Sequence, residues 1–168
     1  AVTISDTTSA ANVNTIADAT NAAVTAIIAN GAVTTTLNAI GNVATTDNIS
    51  FTTTDTTVDA SDFNALALKV DTFTTTSVTG AVTEVAATVA ADNAAGVVAA
   101  LKSLGSDNAA IITGTISAAN ADAIADATSG AVTAIITADI ATNLVANTTH
   151  AVSTDALTMT VNGATATA

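Results

Sequence analysis

Cysteine and proline are absent from the 168-residue chain, and its only aromatic residues are 3 phenylalanines. Without cysteine there is neither a disulfide framework nor a thiolate metal site, and the redox compartment is left open. Without proline, no stretch has the composition of a stiff linker. Because aromatic anchors are scarce and alanine is abundant, we expect thin layers in which helices lie close to a sheet.

Positive charge is nearly absent as well. Lys69 and Lys102 stand against 14 acidic residues, which gives a net charge of −12. This charge repels phosphate backbones and anionic lipid surfaces, so nucleic acid is excluded as a partner. No uninterrupted apolar run reaches the roughly 18 residues of a membrane-spanning helix, so we expect no membrane insertion.

What the chain does contain is a repeat. The segments Ser9–Ile28 and Ser117–Ile136 differ at only 5 of 20 positions. Each begins with a serine suited to capping a helix, continues with apolar residues at helical spacing, and ends in the β-branched run Ala-Val-Thr-Ala-Ile-Ile. The repeating unit is therefore a helix, a turn and a strand.

A diverged copy of the same unit occupies the middle of the chain. Asp59 to Ala67 aligns with Ser9 to Ala17 without a gap, and a strand over Phe73–Val78 follows. We expect one repeat domain, 1–168, made of double repeats over 1–50, 51–108 and 109–168, with an insertion of 8 residues within 81–95 that forms an extra or longer helix. Thr167 falls where the next cap is due, so we expect the chain to be part of a longer array.

Strands that are joined through helices pair in parallel with right-handed crossovers. Two α/β folds meet this rule: a right-handed strand–helix solenoid, with one parallel sheet of about seven short strands and helices on one side, and a doubly wound parallel sheet. The near-constant period favours the solenoid. Strand patterning also favours it, because one strand face is apolar and the opposite face is mostly threonine; Ile27 and Ile135 are the exceptions.

The paired SAAN, IADAT and AVTAII segments, the VDASDFNAL variant and the closing LTMTVNGATATA resemble repeat arrays of very large, acidic, cysteine-poor secreted or cell-surface proteins of marine bacteria, cyanobacteria among them. The resemblance implies an extracellular or cell-surface location and a structural or adhesive role, with no catalytic residues. Some such proteins carry calcium-binding nonapeptide blocks. This chain has no GGxGxD run, so the resemblance does not extend to calcium.

Candidate chemistry is sparse. Calcium prefers several oxygens from one compact loop, and Asp55, Asp59 and Asp62 form the densest acidic cluster. Asp59 is better explained as a helix N-cap, and Asp62 as an acid in the first helical turn. His150, the only imidazole, is expected to be a solvated loop residue. We therefore expect no enzyme activity and no cofactor, with calcium as the weaker alternative.

A solenoid leaves unpaired backbone groups on its first and last strands. We expect these assembly edges at Val2, Thr3, Ile4 and Ser5, and at Leu157, Thr158, Met159, Thr160 and Val161. The expected partners are other copies or neighbouring repeats, stacked end to end in an extracellular filament, surface layer or giant surface protein. The alternative is an adhesin or an ice- or polysaccharide-binding module that uses a threonine-rich sheet face with Thr25, Thr52, Thr54 and Thr133.

Overall fold

The computed structural model describes residues 1–85, 94–105 and 107–163 as parallel strands and helices. Contacts between residues divide the chain into two compact units, Ala1–Thr79 and Gly80–Ala168. The elements of unit 1 are β1 (Val2–Thr8), α1 (Ala10–Asp18), β2 (Val24–Ile28), α2 (Val33–Ala39), β3 (Asn48–Thr52), β4 (Val58–Asp59), α3 (Ala60–Ala67) and β5 (Thr72–Thr74). The elements of unit 2 are β6 (Val82–Val85), α4 (Ala94–Leu104), β7 (Ala110–Ile116), α5 (Ala118–Asp126), β8 (Val132–Ile136), α6 (Ala141–Ala146) and β9 (Ala156–Thr158).

Helix starts lie where the sequence predicts them. The side chains of Ser9 and Ser117 each accept a hydrogen bond at 3.2 Å from the backbone N–H three residues further on, and that of Asp59 does the same at 3.0 Å. All three residues are in extended conformation, as N-caps require. Each such cap stabilises its helix by about 1 kcal/mol.

Apart from the two-residue strand β4, the strands of each unit lie in the same order in their sheet as in the chain. Unit 1 has the order β1-β2-β3-β5, unit 2 contains β6-β7-β8-β9 in that order, and all of these pairs are parallel. The α/β class is confirmed. The single sheet of about seven strands is wrong, because the described residues form two sheets and nine strands. A parallel connection needs a crossover of about a dozen residues or more. The loop between β5 and β6, residues 75–81, is too short for one.

The extra or longer helix predicted within residues 81–95 is wrong at Val82–Val85, whereas Ala94 and Ala95 begin helix α4. Residues Val82–Val85 form strand β6, in which Val82 and Glu84 are buried and Val85 is exposed. The spacing of Val82 and Val85 suits a helical turn, but the β-branched side chains and pairing with β7 favour the strand. The rest of the predicted insertion, residues 86–93, and the predicted cap at Thr167 lie outside the described residues.

Strands β2 and β8 bury one face and expose the other. Val24, Ala26 and Ile28 are buried, as are the corresponding residues of β8. Helices α1 and α5 contact these strands and add their own buried residues, Val13 and Ile124. Each fully buried valine or isoleucine contributes about 1.5–3 kcal/mol. The alternating side chains point to solvent, and Ile27 and Ile135 are about half exposed, at 51% and 50%.

The two units contain equivalent residues 108 positions apart, the separation of Ser9 and Ser117. The run β1-α1-β2-α2-β3 recurs as β7-α5-β8-α6-β9. The same irregularity also recurs: the register shifts between Thr3 and Thr7 in one unit and between Ile111 and Thr115 in the other. Gly114 lies in this irregularity with φ 106°, a conformation that glycine adopts without steric cost.

In each unit one aspartate clasp, a carboxylate that accepts two backbone hydrogen bonds, connects the turn before one strand to the neighbouring strand. Asp47 Oδ1 accepts from the N–H of Val24 at 2.8 Å, and Asp47 Oδ2 accepts from Ala44 N–H at 2.9 Å. The equivalent Asp155 binds its two N–H groups at the same distances. The carboxylate thus satisfies the first N–H of the preceding strand while it closes its own turn.

Gly130 marks a place where the units differ. A Cβ atom on Gly130 would lie 2.6 Å from the backbone of Asn108 and Ala109. Thr128 holds this contact together, because its hydroxyl donates to the Asn108 carbonyl at 2.6 Å and accepts from Gly130 N–H at 2.9 Å. The equivalent residue in unit 1 is Ala22, which already carries that methyl group.

We expect Asp47→Ala and Asp155→Ala each to lower the free energy of unfolding by about 1–3 kcal/mol, because each leaves a part-buried strand N–H without its acceptor. Urea denaturation monitored by circular dichroism measures the change. Thr45→Ala, an exposed change in the same loop as Asp47, is the control. Equal stability of Asp47→Ala and Thr45→Ala would contradict the clasp.

Candidate functional site

The first predicted edge, Val2–Ser5, lies in β1, the outermost strand of the unit 1 sheet. Its equivalent β7 is paired on both sides, by β6 and by β8. Strand β6 pairs with β7 from Val82 opposite Ala110 to Val85 opposite Thr113. The β7 residues in this pairing are the equivalents of Val2 to Ser5. The outer edge of β1 is therefore equivalent to the edge of β7 that pairs with β6.

The second predicted edge, Leu157–Val161, overlaps β9, the outermost strand of unit 2, at Leu157 and Thr158. Its equivalent β3 is paired on both sides, by β2 and by β5. Strand β5 pairs with Ser50, Phe51 and Thr52, whose equivalents are Thr158, Met159 and Thr160. The pairing continues where Thr53 N–H donates to the Thr74 carbonyl at 3.0 Å, and the equivalent of Thr53 is Val161.

Side chains at the second edge are exposed where their equivalents are buried. Met159 is 40% exposed, whereas Phe51 is 2% exposed. Phe51 is covered by Phe73 of β5, with ring centroids 5.8 Å apart. Val161 is 53% exposed, against 2% for its equivalent Thr53. Apolar side chains are thus left uncovered where unit 1 has its next strand.

Neither edge strand contains lysine or proline. Natural edge strands are commonly blunted by lysine or proline. The chain has no proline, and its two lysines lie outside β1 and β9. Asp6 is the one charged residue in β1, and β9 has none. Neither the Val2–Ser5 part of β1 nor β9 therefore carries a charged side chain that would oppose a further strand.

The calcium candidates are each bonded to the protein's own donors. Asp55 accepts from the N–H of Val33 at 2.7 Å, Asp59 caps α3, and Asp62 accepts from the hydroxyl of Thr34 at 2.5 Å. In residues 1–85, 94–105 and 107–163, no group of three or more acidic, histidine or cysteine side chains is placed to hold a metal ion. Of the helices described, none is long and apolar enough to cross a membrane.

The candidate ligand face is the exposed side of the sheets. Thr25 and Thr133 are exposed at equivalent positions in the two units, Thr52 is half-buried, and Thr54 is exposed just after β3. Thr25 lies in a row between Thr3 of β1 and Asn48 of β3. The next row is less polar, because Ile27 stands between Thr7 and Ser50.

Two small clefts flank Asp47. One of about 290 Å³ is lined by alanine, threonine and asparagine side chains between α1 and the loop before β3, and one of about 220 Å³ is lined by Lys69, Asp71 and their neighbours. The Lys69 side chain is hydrogen-bonded within the protein, because its Nζ donates to the carbonyls of Gly41 and Val43 at 3.2 and 3.1 Å. Polar groups that line these clefts, Asp47 and Lys69, are therefore used in hydrogen bonds that stabilise the fold.

His150 makes a contact that sequence reasoning missed. It lies in a loop and its side chain is about half exposed, yet its backbone N–H donates to Asp122 Oδ1 at 2.6 Å. Its Nδ1 lies 2.8 Å from Asp122 Oδ2, and its Nε2 lies 3.4 Å from Asp126 Oδ1. Alignment of the repeats would have indicated this contact, because Asn14 and Asn42 are the equivalents of Asp122 and His150. The Asn42 N–H donates to Asn14 Oδ1 at 2.7 Å.

This contact shifts both ionisation equilibria. Partial burial raises the pKa of Asp122, but hydrogen bonds from the backbone and ring of His150 and from Thr149 outweigh it and hold that pKa below its ordinary value. The hydrogen bond to Asp122 raises the pKa of His150, partial desolvation opposes the rise, and the charges of Asp122 and Asp126 add to it. When His150 is protonated, a charged pair thus links helix α5 to the loop after α6.

The raised pKa of His150 stabilises the fold fully below the unfolded value of about 6.5, and this contribution is lost as pH rises through the folded pKa. The lowered pKa of Asp122 stabilises the fold above the unfolded value of about 3.9, and this contribution is lost as pH falls through the folded pKa. Both contributions are present together between about pH 4 and 6.5. Salt weakens them, because the pair is exposed.

We expect the folded chain to show a His150 pKa above about 6.5, measured from the single imidazole resonance by proton NMR titration. Asp122→Asn should bring that pKa back towards 6.5, because it removes the negative charge and replaces one of the two carboxylate oxygens by an amide NH2 group. Asp18→Asn, the change at the equivalent of Asp126 in unit 1, is the control and should leave the titration unchanged. A His150 pKa at or below 6.5 in the unaltered chain would refute the contact.

No family model, curated protein or solved structure matches the chain. The resemblance to repeat arrays of large surface proteins therefore stays a prediction.

Proposed function

We propose that the chain is a non-enzymatic structural repeat module of an extracellular or cell-surface assembly, and that it joins other copies or neighbouring repeats through its outermost strands. One observation carries this proposal. Both outermost strands, β1 and β9, are equivalent to strands that are paired on both sides, β7 and β3. Each edge strand therefore occupies the position in the repeat that an interior strand occupies in the other unit.

A right-handed strand–helix solenoid is the architecture that we propose for each unit. Strand order follows chain order in both units, whereas a doubly wound sheet reverses direction at a switch point. Right-handed crossovers that all advance in one direction place every helix on the same side of the sheet. The contacts of α1 with α2 and of α2 with α3, together with the exposed face of β2, support this arrangement.

The free energy of association favours repeats within one polypeptide over separate chains. An added strand forms about three or four backbone hydrogen bonds, each worth about 0.5–1.5 kcal/mol net. Burial of Met159 and Val161 adds to this sum, but association costs about 4–15 kcal/mol in lost freedom. Separate chains should therefore associate weakly, while repeats of one polypeptide gain from their high effective concentration. The net charge of −12 further opposes association unless salt screens it.

We expect Val161→Pro to abolish self-association, because it removes the N–H whose equivalent in Thr53 bonds β5. Val161→Thr, which installs the residue found at the equivalent position, should associate like the unaltered chain. Light scattering at a chain concentration on the order of 1 mM and in high salt measures association, and circular dichroism verifies folding. Equal association of the two variants would count against the proposal, and so would an unaltered chain that stays monomeric.

The exposed sheet face supports a second candidate, an adhesin or an ice- or polysaccharide-binding module. Thr3 and Thr25 lie side by side in one row, at the spacing of about 4.8 Å that separates neighbouring strands. Thr133 is exposed at the equivalent place in unit 2. Such rows present hydroxyl and methyl groups at regular intervals. Ile27 and Ile135 interrupt them, so this candidate ranks second.

If the threonine face binds a ligand, the double variant Thr25→Lys, Thr133→Lys should weaken ligand binding by at least about tenfold. The reason is that long charged side chains keep the ligand away from a flat surface. Ice recrystallisation and pull-down with insoluble polysaccharides are the measurements. Val161→Pro is the matched control, since it alters the edge and leaves the face intact. Association of the double lysine variant should be unchanged, which separates the two candidates.

A further inference from the structure

We propose that the junction between two copies has one defined register: β9 of one copy pairs in parallel with β1 of the next, with Thr3 opposite Ala156 and Ile4 opposite Leu157. This inference rests on the proposed edge assembly and specifies its geometry. It assigns the partner as a second copy of the same chain. The junction is a contact between unlike surfaces, so each added copy leaves one edge of each kind for a further copy.

The register follows from rows of paired residues. In unit 1, Thr3 pairs with Thr25, and Thr25 pairs with Asn48. In unit 2, Thr83, Ile111, Thr133 and Ala156 form one row. Ala156 is the equivalent of Asn48, and Ile111 is the equivalent of Thr3. A row that ends at Ala156 in one copy therefore continues at Thr3 of the next.

Apolar side chains also match across this junction. In the proposed register, Ile4 lies next to Leu157 on the buried side of the sheet. Both are only half-buried in the single chain, whereas their equivalents Ile112 and Ile49 are 5% and 0% exposed. The junction thus restores to each residue the burial that its equivalent already has. Burial of such a side chain contributes up to about 1.5–3 kcal/mol.

The facing residues of the junction place no like charges opposite each other. The four facing pairs are Val2 with Asp155, Thr3 with Ala156, Ile4 with Leu157, and Ser5 with Thr158. Asp155 is the one charged residue among them, and its two oxygens already accept from the N–H groups of Val132 and Val152 at 2.8 and 2.9 Å. No pair places like charges opposite each other, which would destabilise the contact.

Cross-linking tests this register directly, because the chain has no native cysteine. A chain carrying Thr3→Cys is mixed with a tagged chain carrying Ala156→Cys and oxidised under the conditions of association. Residues directly opposite in adjacent strands lie about 5 Å apart, within the range of a disulfide. The matched control pairs Thr3→Cys with Thr158→Cys, which lies one row away at about 8 Å, beyond that range.

We expect the disulfide-linked heterodimer of Thr3→Cys with Ala156→Cys to form at least about tenfold faster than the heterodimer with Thr158→Cys. Val161→Pro in the Ala156→Cys chain should suppress it. Association by light scattering without this preference, or with mainly symmetric Thr3→Cys homodimers, overturns the register and leaves the proposed assembly standing. Absence of association overturns both.

Discussion

Parallel pairing of short strands is the constraint on which the rest of the structure depends. A parallel strand needs a neighbour on each side to satisfy its backbone groups, and each connection must cross over through a helix. Alanine, valine and threonine suit this arrangement, because their small side chains let α1 and α5 lie against β2 and β8. Among the residues that the structure describes, the same constraint leaves β1 and β9 each with one side that has no paired strand.

The two units show how one backbone plan tolerates different chemistry. Asp47 and Asp155 bind equivalent N–H groups at equal distances, so this contact is retained in full. At another shared position, a neutral Asn14 contact with Asn42 in unit 1 becomes the ionisable Asp122 contact with His150 in unit 2. The backbone bond survives in both, while only unit 2 responds to pH through it.

Sequence patterns predicted what local chemistry decides. Capping by Ser9 and Asp59 and the alternation of β2 follow from residue type and spacing, and the structure confirms them. The division into two sheets was not predicted, because it depends on a loop too short for a crossover. The spacing of Val82 and Val85 fits a helix, but they form a strand with Val82 buried and Val85 exposed. The His150 contact was missed because Asp122 and His150 are 28 residues apart in the sequence, and only alignment of the repeats relates them to another pair in contact. Which side chains at β1 and β9 stay exposed depends on tertiary neighbours.

The Gly130 contact makes the near-identical segments of this chain non-interchangeable. Residues 9–28 and 117–136 read almost alike, yet moving the first into the place of the second would push the Ala22 methyl into the backbone of Asn108. A single absent methyl group thus fixes which copy can follow the Asn108 loop. Recombination between such copies, a common way for tandem repeats to shorten or lengthen, would produce a poorly packed chain at this point.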